Sequence, residues 1–276
     1  MPVSPLPTSA PRSTEAIVQY IASRGPALVA LSGGVDSSVV AALAYEALGP
    51  TSLAVTLAGP AVARAEVERA RRVARSVGID HLVLEVDPLA RAEYRANAPN
   101  RCYFCRTVET ERLRREGEHR GIAQYLDGVQ LDDLAEVRPG IRAMNEAGFD
   151  HPLAWAGWSK REVRSAARAR NLPNWDQPSD ACLSSRVAHG VPISSELLAR
   201  IESAESWIGA LGFRRVRVRT EGTRARVEVD PEEVARLSAE PLASELQRAL
   251  GALGFSPVEV DPSGYGAARG MREGTP

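Results

Sequence analysis

The chain has 276 residues, of which 44% are hydrophobic and 25% charged, enough to bury the core of one large or two modest domains. Its formal net charge of -1 excludes a global positive field that would draw it to nucleic acid or to an anionic membrane surface. Three cysteines and no export signal argue against a secreted disulfide framework and predict a reducing, cytoplasmic location. No apolar run is long enough to span a bilayer.

The first two thirds of the chain alternate between strand and helix patterns. Residues 1–14 are rich in Pro, Ser and Thr and are expected to form a disordered leader. Short apolar runs predict strands, and the longer segments between them predict helices. The predicted elements are strand 27–31, helix 38–48, strand 52–56, helix 61–77, strand 81–87 and strand 123–128. This alternation predicts an α/β fold, a doubly wound parallel sheet, over residues 15–180.

The pattern changes in the last third of the chain. Ser159 and Glu162 match a capping box at the start of a helix that ends near Asn171, and an irregular segment, 173–186, follows. Two alternating segments then predict a hairpin. The predicted elements are helix 195–211, strands 214–220 and 224–230, helices 231–237 and 241–253, and strand 257–261. We therefore expect a smaller α+β domain for substrate binding or oligomerisation over residues 181–265, and a loose tail over 266–276.

The string LSGGVDSS, residues 31–38, lies between a predicted strand and a predicted helix, where backbone N–H groups can bind an anion. The glycines let the backbone approach a phosphate, the serine hydroxyls can donate hydrogen bonds, and the aspartate can hold Mg²⁺. The candidate nucleotide ligands are Ser32, Gly33, Gly34, Asp36, Ser37 and Ser38. The loop is not a Walker A motif because it lacks the lysine. A bare Gly-Gly pair here would more often be only a turn.

The complete SGGxDS string resembles the pyrophosphate loop of the N-type ATP pyrophosphatases, the PP-loop superfamily, which cleave ATP between the α and β phosphates. The resemblance implies an adenylation, in which a substrate oxygen attacks the α-phosphorus and pyrophosphate leaves. It also implies Mg²⁺ and nearby arginines, and by analogy it places Thr56 beside the adenosine. Further along the chain, Asp127, Asp132 and Asp133 are candidates to bind Mg²⁺, although loop aspartates are more often simply solvated.

Residues 132–194 resemble the LarE family of ATP-dependent sulfur transferases, and the resemblance extends over about residues 15–229. The motifs that carry it include Arg138-Pro139-Gly140, Ser159-Lys160, Trp175-Asp176 and ACLSSR at 181–186. One departure is Gly128-Val129-Gln130, where the family commonly has GTN. The resemblance implies that the protein adenylates a carboxylate of pyridinium-3,5-biscarboxylic acid mononucleotide and replaces its oxygen by sulfur, in the synthesis of the nickel-pincer nucleotide cofactor. It also implies a homo-oligomer, a hexamer, but names no sulfide donor.

Several site residues follow from the same resemblance. It implies that Arg138 and Arg186 bind the nucleotide ligands and that Glu205 is an acidic residue of the active site. Arg217 and Arg219 alternate along a predicted strand, so that both guanidinium groups point to one side. Such a pair is ordinarily a solvated strand face, whereas the resemblance implies that it grips the phosphate of the mononucleotide.

The cysteines are Cys102, Cys105 and Cys182. Taken alone, the CxxC allows a redox pair, or a zinc site that takes the third cysteine and one histidine, or unpaired buried thiols. The histidines available to such a zinc site are His81, His119, His151 and His189. The resemblance implies instead that the three cysteines converge, act in sulfur transfer and hold a [4Fe-4S] cluster with one iron open to an extra sulfide.

Two other functions share these features. The tRNA thiolation enzymes also join a pyrophosphate loop to three cluster cysteines, but the neutral net charge argues against tRNA as a partner. A non-catalytic nucleotide-binding module with a structural zinc site is the second alternative. The expected cofactors are ATP, Mg²⁺ and a [4Fe-4S] cluster, and the expected partner is a small-molecule mononucleotide.

Overall fold

The computed structural model describes residues 12–135 and 138–266, and the polypeptide divides into two units. The first unit contains the residues up to Tyr94 together with Pro99–Asp180. The second contains Arg95–Ala98 and the residues from Ala181 onward. Most of the segments 1–14 and 266–276, which the sequence predicts to be a leader and a loose tail, lie outside the described residues.

Among the described residues, the first unit contains a sheet of four parallel strands in the order β3-β2-β1-β4. The strands are β1 (Ala27–Ala30), β2 (Ser52–Ala58), β3 (Asp80–Glu85) and β4 (Gln124–Leu126). The chain adds β2 and β3 on one side of β1 and then returns to place β4 on its other side. The strand order therefore reverses between β1 and β4, and ligands of open α/β sheets bind beyond the carboxyl ends of the strands at such a point.

Helices cover both faces of this sheet. They are α1 (Thr14–Ala22), α2 (Val35–Leu48), α3 (Arg64–Val77), α4 (Ala92–Arg95), α5 (Arg101–His119), α6 (Pro139–Glu146), α7 (Pro152–Trp155) and α8 (Lys160–Ala169). Successive residues of β1 point to opposite faces, so Val29 joins a buried cluster with α2, α3 and α8, whereas Leu28 joins one with Leu113 of α5. Both faces are thus buried, and the predicted doubly wound α/β fold is confirmed.

The second unit contains a small mixed sheet. Strand β5 (Val216–Glu221) pairs antiparallel with β6 (Arg224–Val229), and β6 pairs parallel with β7 (Val258–Val260). Its helices are α9 (Ser195–Ala210), α10 (Val234–Leu237) and α11 (Leu242–Ala252). The side chains of Ile201, Val218 and Leu250 are fully buried, which gives this unit an apolar core of its own.

Some elements differ from those predicted. The capping box is present at the start of α8, where the Glu162 carboxylate accepts a hydrogen bond from the Ser159 N–H at 2.9 Å. Helices α1, α5 and α6 were not predicted. Helix α5 is rich in charge and, among its residues, Arg101, Thr110, Leu113 and Gly117 are the buried ones, so it presents no apolar stripe to recognise.

No helix within residues 12–135 and 138–266 combines the length and the apolar composition needed to cross a membrane.

Candidate functional site

The phosphate loop connects β1 to α2 and is shaped by its two glycines. Gly33 has φ of +82°, and a Cβ there would lie 2.7 Å from the Glu66 carbonyl oxygen and 3.0 Å from the Ala70 nitrogen, both in the backbone of α3. Gly34 is the N-cap of α2 in an extended conformation. The loop therefore passes α3 at a distance that only glycine allows, and it delivers the positive end of α2 to the carboxyl edge of the sheet.

Serine hydroxyl groups brace the loop from inside. Ser37 Oγ accepts a hydrogen bond from the Ser32 N–H at 3.2 Å and donates to the Gly34 carbonyl at 3.1 Å. Ser38, which is fully buried, also donates to the Gly34 carbonyl, at 2.7 Å. These hydroxyls fix the main chain of the loop beside the first N–H groups of α2, which are the groups available to bind an anion.

Asn174, which the sequence interpretation missed as a functional residue, closes the loop from the other side. Its side-chain amide donates to the Gly33 carbonyl at 2.8 Å and to Ser38 Oγ at 2.9 Å, and only 3% of the residue is exposed. It follows the turn that ends α8, after Pro173. In the sequence, Asn174 is only an amide that follows the Leu-Pro pair at the end of a predicted helix, and that pattern is too common to single out.

Lys160, the one lysine of the sequence, lies at the phosphate loop. Its Nζ is 2.5 Å from Asp36 Oδ2, and both side chains are about one quarter exposed, at 28% and 26%. Its backbone N–H donates to Asp132 Oδ2 at 2.9 Å, so that aspartate fixes the start of α8. The loop itself lacks the lysine of a Walker A motif, but α8 brings an ammonium group to the same place from 124 positions away.

The end of β4 packs directly against the loop. A Cβ on Gly128 would lie 2.6 Å from the Ser37 nitrogen and 2.9 Å from the Asp36 carbonyl carbon, so the family-typical glycine of this segment is a steric requirement. Next to it, Asp127 is 5% exposed. Within the described residues, Asp36 Oδ1 and Asp127 Oδ2 are buried and have no hydrogen-bond partner. Two such carboxylate oxygens suit a hard cation, so these residues fit Mg²⁺.

His151 orients Asp127. Its Nδ1 lies 2.7 Å from Asp127 Oδ1 and its Nε2 lies 2.6 Å from Asn145 Oδ1, and the Val129 N–H donates to the same Asp127 oxygen at 3.0 Å. Burial by itself lowers the pKa of His151, but the charge and hydrogen bond of Asp127 outweigh it and raise the pKa above its usual value. The ring faces two acceptors, which favours the doubly protonated form.

Thr56, which the resemblance placed beside the adenosine, lies near the end of β2 and is 2% exposed. Its hydroxyl donates to the Leu31 carbonyl at 2.6 Å and lies 2.8 Å from His81 Nε2. Burial, then the charges of Arg71 and Arg75, lower the pKa of His81, which keeps this ring neutral. The Thr56 hydroxyl therefore ties β2 to the residue that precedes the loop, and its role toward adenosine stays a prediction.

The CxxC lies at the start of α5. Cys102 is exposed and Cys105 partly exposed, and the spacing puts both thiols on one side of the first helical turn. Cys105 Sγ is 3.2 Å from Glu109 Oε1, and Glu109 pairs with Arg106 at 2.5 Å. Redox cysteine pairs commonly lie at the start of a helix, and the CxxC does so here. The sequence did not reveal this similarity because α5 was not predicted.

The histidines can be placed relative to the zinc alternative. His119 ends α5, 17 residues beyond Cys102, which corresponds to about 25 Å along a helix. Both nitrogens of His151 already face acceptors, and His81 bonds Thr56. Among the described residues there is no group of three or more His, Cys, Asp or Glu side chains arranged to hold a metal ion, a finding that covers both the zinc alternative and the three cysteines.

In the second unit, the predicted site residues form a buried network. Arg186 is 3% exposed and forms a two-pronged pair with Glu205, with Nε to Oε1 at 2.8 Å and NH2 to Oε2 at 3.0 Å. Glu205 Oε1 also accepts the Val218 N–H at 2.9 Å. Cys182 immediately precedes the 3-10 turn Leu183–Arg186 that carries this arginine.

Arg217 and Arg219 occupy β5 as predicted, but their surroundings are not those of a solvated face. Arg217 is 5% exposed, and its guanidinium lies 5.4 Å from the centre of the Tyr265 ring. Arg219 pairs with Glu228 at 3.1 Å and lies directly opposite Arg226 on β6, so Glu228 bridges two like charges. Elsewhere, in the first unit, Arg138 precedes α6 and pairs with Asp133.

The chain is similar to several known proteins. The family model of NAD synthase matches residues 11–129, the part that holds the phosphate loop. The chain is 39% identical over 251 residues to an uncharacterized protein of Synechocystis sp., and the aligned residues cover 91% of this chain and 94% of that protein. It is 29% identical over 242 residues to pyridinium-3,5-bisthiocarboxylic acid mononucleotide synthase of Lactiplantibacillus plantarum, covering 87% of each.

A shorter match is 39% identical over 97 residues to the tRNA-specific 2-thiouridylase MnmA of Brucella suis, covering 28% of this chain and 24% of that enzyme.

A parallel sheet with a braced, glycine-bearing phosphate loop at its switch point defines a nucleotide-binding protein of the PP-loop ATP pyrophosphatase class. Within that class, the chain belongs to the LarE family, as its sequence motifs predicted.

Proposed function

We propose that this protein is an ATP-dependent sulfur transferase that converts pyridinium-3,5-biscarboxylic acid mononucleotide to the bisthiocarboxylic acid, for the nickel-pincer nucleotide cofactor. The observation that carries the proposal is the phosphate loop itself. It is held by Gly33 against α3, by Asn174 and by the Lys160–Asp36 pair, in a chain that is 29% identical to a pyridinium-3,5-bisthiocarboxylic acid mononucleotide synthase.

The first half-reaction is the adenylation of a carboxylate. One carboxylate oxygen of the substrate attacks the α-phosphorus of ATP, the bond to the β-phosphate breaks, and pyrophosphate leaves with the electron pair. The N–H groups at the start of α2 bind the departing phosphates, and Lys160 offsets their growing negative charge. A bound Mg²⁺, held by Asp36 and Asp127, would add positive charge there.

The second half-reaction replaces oxygen by sulfur. A sulfur nucleophile adds to the acyl carbon, the bond from that carbon to the phosphate oxygen breaks, and AMP leaves with the original carboxylate oxygen. One ATP is therefore consumed for each sulfur, and two rounds give the bisthiocarboxylate. Arg217 and Arg219 are proposed to bind the phosphate of the mononucleotide, with Arg138 and Thr56 on the ATP side.

The cysteines are proposed as the ligands of a [4Fe-4S] cluster. Cys102 and Cys105 supply two thiols from one helical turn, and Cys182 is proposed as the third ligand. When bound, the cluster supplies an iron that can carry an exchangeable sulfide. Soft thiolate ligands suit iron, which favours this cluster over a hard cation at these positions. Convergence of the three cysteines, the hexamer and the reducing compartment all stay predictions.

The proposal is tested by anaerobic reconstitution with iron and sulfide, followed by metal analysis and the transfer assay. We expect about four irons per chain in the wild type, from the cluster type. Cys102→Ala and Cys182→Ala should each lose iron and repeated sulfur transfer. His119→Gln is the matched control, because His119 lies at the far end of α5 and should leave the iron content unchanged. A zinc-loaded wild type without iron would refute the cluster.

The ATP reaction is tested separately by AMP release. We expect AMP only when the mononucleotide is present, and substrate-independent or absent release would refute the enzyme assignment. A parallel assay with unmodified tRNA checks the thiolation alternative. The match to the thiouridylase covers only 24% of that enzyme, so we expect no thiolated tRNA.

A further inference from the structure

The segment 181–186, called here the Cys182 turn, is held by arginine side chains through its main-chain oxygens. Arg186 NH1 faces the carbonyl of Ala181, the carbonyl of Cys182 at 3.0 Å and the hydroxyl of Ser185 at 3.0 Å. Arg219 NH1 donates to the Ser185 carbonyl at 3.0 Å. The acceptors are thus the oxygens on both sides of the Cys182 Cα and at the end of the turn.

The opposite edge of the Arg186 guanidinium is fixed by Glu205. Both carboxylate oxygens of Glu205 engage Arg186, and Oε1 is anchored in turn by the Val218 N–H of β5. A continuous chain of hydrogen bonds therefore runs from β5 through Glu205 and Arg186 to the carbonyl of Cys182. Glu205 lies on α9, whereas the other residues of this hydrogen-bonded series belong to the Cys182 turn or to β5.

An alternative view is that Arg186 and Glu205 are an ordinary buried ion pair that stabilises the second unit. A buried pair of this kind contributes little net stability compared with apolar residues of the same size. A pair that served only stability would also not require the remaining N–H groups of the Arg186 guanidinium to donate to the Cys182 turn. The guanidinium has the forked donors to serve a carboxylate and several carbonyls at once, which an ammonium group lacks.

We propose that Arg186 and Glu205 are positioning residues that fix the place of Cys182, rather than ligands of substrate or nucleotide. The inference deepens the proposed function, on which its catalytic part rests. Because the guanidinium is 3% exposed and has all of these partners, binding a phosphate would require breaking the bonds that hold the turn. Misplacing a reacting group by about 1 Å can cost about 100-fold in rate, so the arrangement matters for sulfur transfer.

The test compares Arg186→Lys and Glu205→Gln with the wild type, using amide hydrogen exchange and a single-turnover assay of pyrophosphate and thiocarboxylate. The control is Arg215→Lys, which alters another ion pair of the same unit, Arg215–Asp230 at 3.0 Å. We expect exchange in residues 183–187 to rise roughly tenfold in both variants, as for the loss of one bond to a charged donor, with β6 and the part of β5 other than Val218 unchanged. The control should leave residues 183–187 protected.

In the single-turnover assay we expect both variants to release pyrophosphate, the product of the adenylation step, within about twofold of the wild type, while sulfur transfer, and with it AMP release, falls by about 100-fold. Unchanged exchange in residues 183–187, or equal loss of protection throughout β5 and β6, would overturn the inference. So would a parallel fall of pyrophosphate release and sulfur transfer. If Arg186→Lys does not fold, Glu205→Gln decides alone. If the wild type transfers no sulfur, the proposed function fails, but the exchange comparison still decides whether the turn is positioned in this way.

Discussion

Replacing Gly33 by alanine tests the shape of the phosphate loop most sharply. The residue has φ of +82°, a conformation that costs an alanine about 1–2 kcal/mol. The new Cβ would also lie 2.7 Å from the Glu66 carbonyl oxygen and 3.0 Å from the Ala70 nitrogen, both main-chain atoms that can yield only if α3 moves. Overpacking of this kind costs about 1–3 kcal/mol. Gly33→Ala should therefore lower the free energy of unfolding by about 2–5 kcal/mol.

Two matched variants separate the contributions. Gly25 has φ of +84° and nothing within 4 Å of the position that a Cβ would occupy, so Gly25→Ala should show the conformational cost of about 1–2 kcal/mol alone. Gly34 has φ of -75° and the atom nearest to its Cβ position is Ser32 Oγ at 3.4 Å, so Gly34→Ala should change stability by less than about 0.5 kcal/mol. Urea unfolding followed by circular dichroism measures all three. If Gly33→Ala costs no more than Gly25→Ala, the close approach to α3 is refuted.

Three further outcomes follow from the contacts around the loop. Lys160→Met should lower AMP release by about 100-fold because the ammonium beside Asp36 is lost, whereas Lys160→Arg keeps the charge and should lose less; equal losses would refute the electrostatic role. Asn174→Ala should cost about 1–3 kcal/mol of stability and raise the KM for ATP, and an unchanged KM would show that the amide does not shape the loop. The pKa of His81 is lowered below 6.5 in the folded protein, so the stability that depends on its neutral ring is complete above pH 6.5 and is lost as the pH falls through the folded pKa. His81→Gln should therefore remove that part of the fall in unfolding free energy at acid pH. An identical pH profile of the unfolding free energy in the variant and the wild type would contradict this role of His81.

The sequence predicted the sheet well because its signals are local. Strands such as Ala27–Ala30 are short apolar runs near glycines, and the loop string predicts which end of the sheet would bind a ligand. Helix α5 could not be predicted in this way, because its charged sequence carries no apolar periodicity; Leu113 is its residue in the described core cluster around Leu28. Its Arg and Glu residues favour a helix by propensity and by i,i+4 ion pairs such as Arg112–Glu116, signals that are weaker than apolar periodicity.

The candidate site was predictable only where a motif is contiguous. The sequence singled out the loop residues and Asp127 as candidates, but Lys160 and Asn174 approach the loop from beyond β4, and a single chain shows no pattern that links them to it. For Arg186 and Glu205, the predicted role as ligands differs from the positioning role that we propose. Their hydrogen bonds to the Cys182 turn depend on distances that spacing along the chain does not reveal.

The most direct test of the central claim is one quantitative reaction. The reconstituted protein is incubated anaerobically with ATP, Mg²⁺, sulfide and pyridinium-3,5-biscarboxylic acid mononucleotide, and AMP, pyrophosphate and the thiocarboxylate are measured together by mass spectrometry. The account predicts one AMP and one pyrophosphate for each thiocarboxylate group formed, hence two of each for every bisthiocarboxylate, with one substrate oxygen recovered in each AMP. AMP without thiocarboxylate, or thiocarboxylate without consumption of ATP, would contradict it.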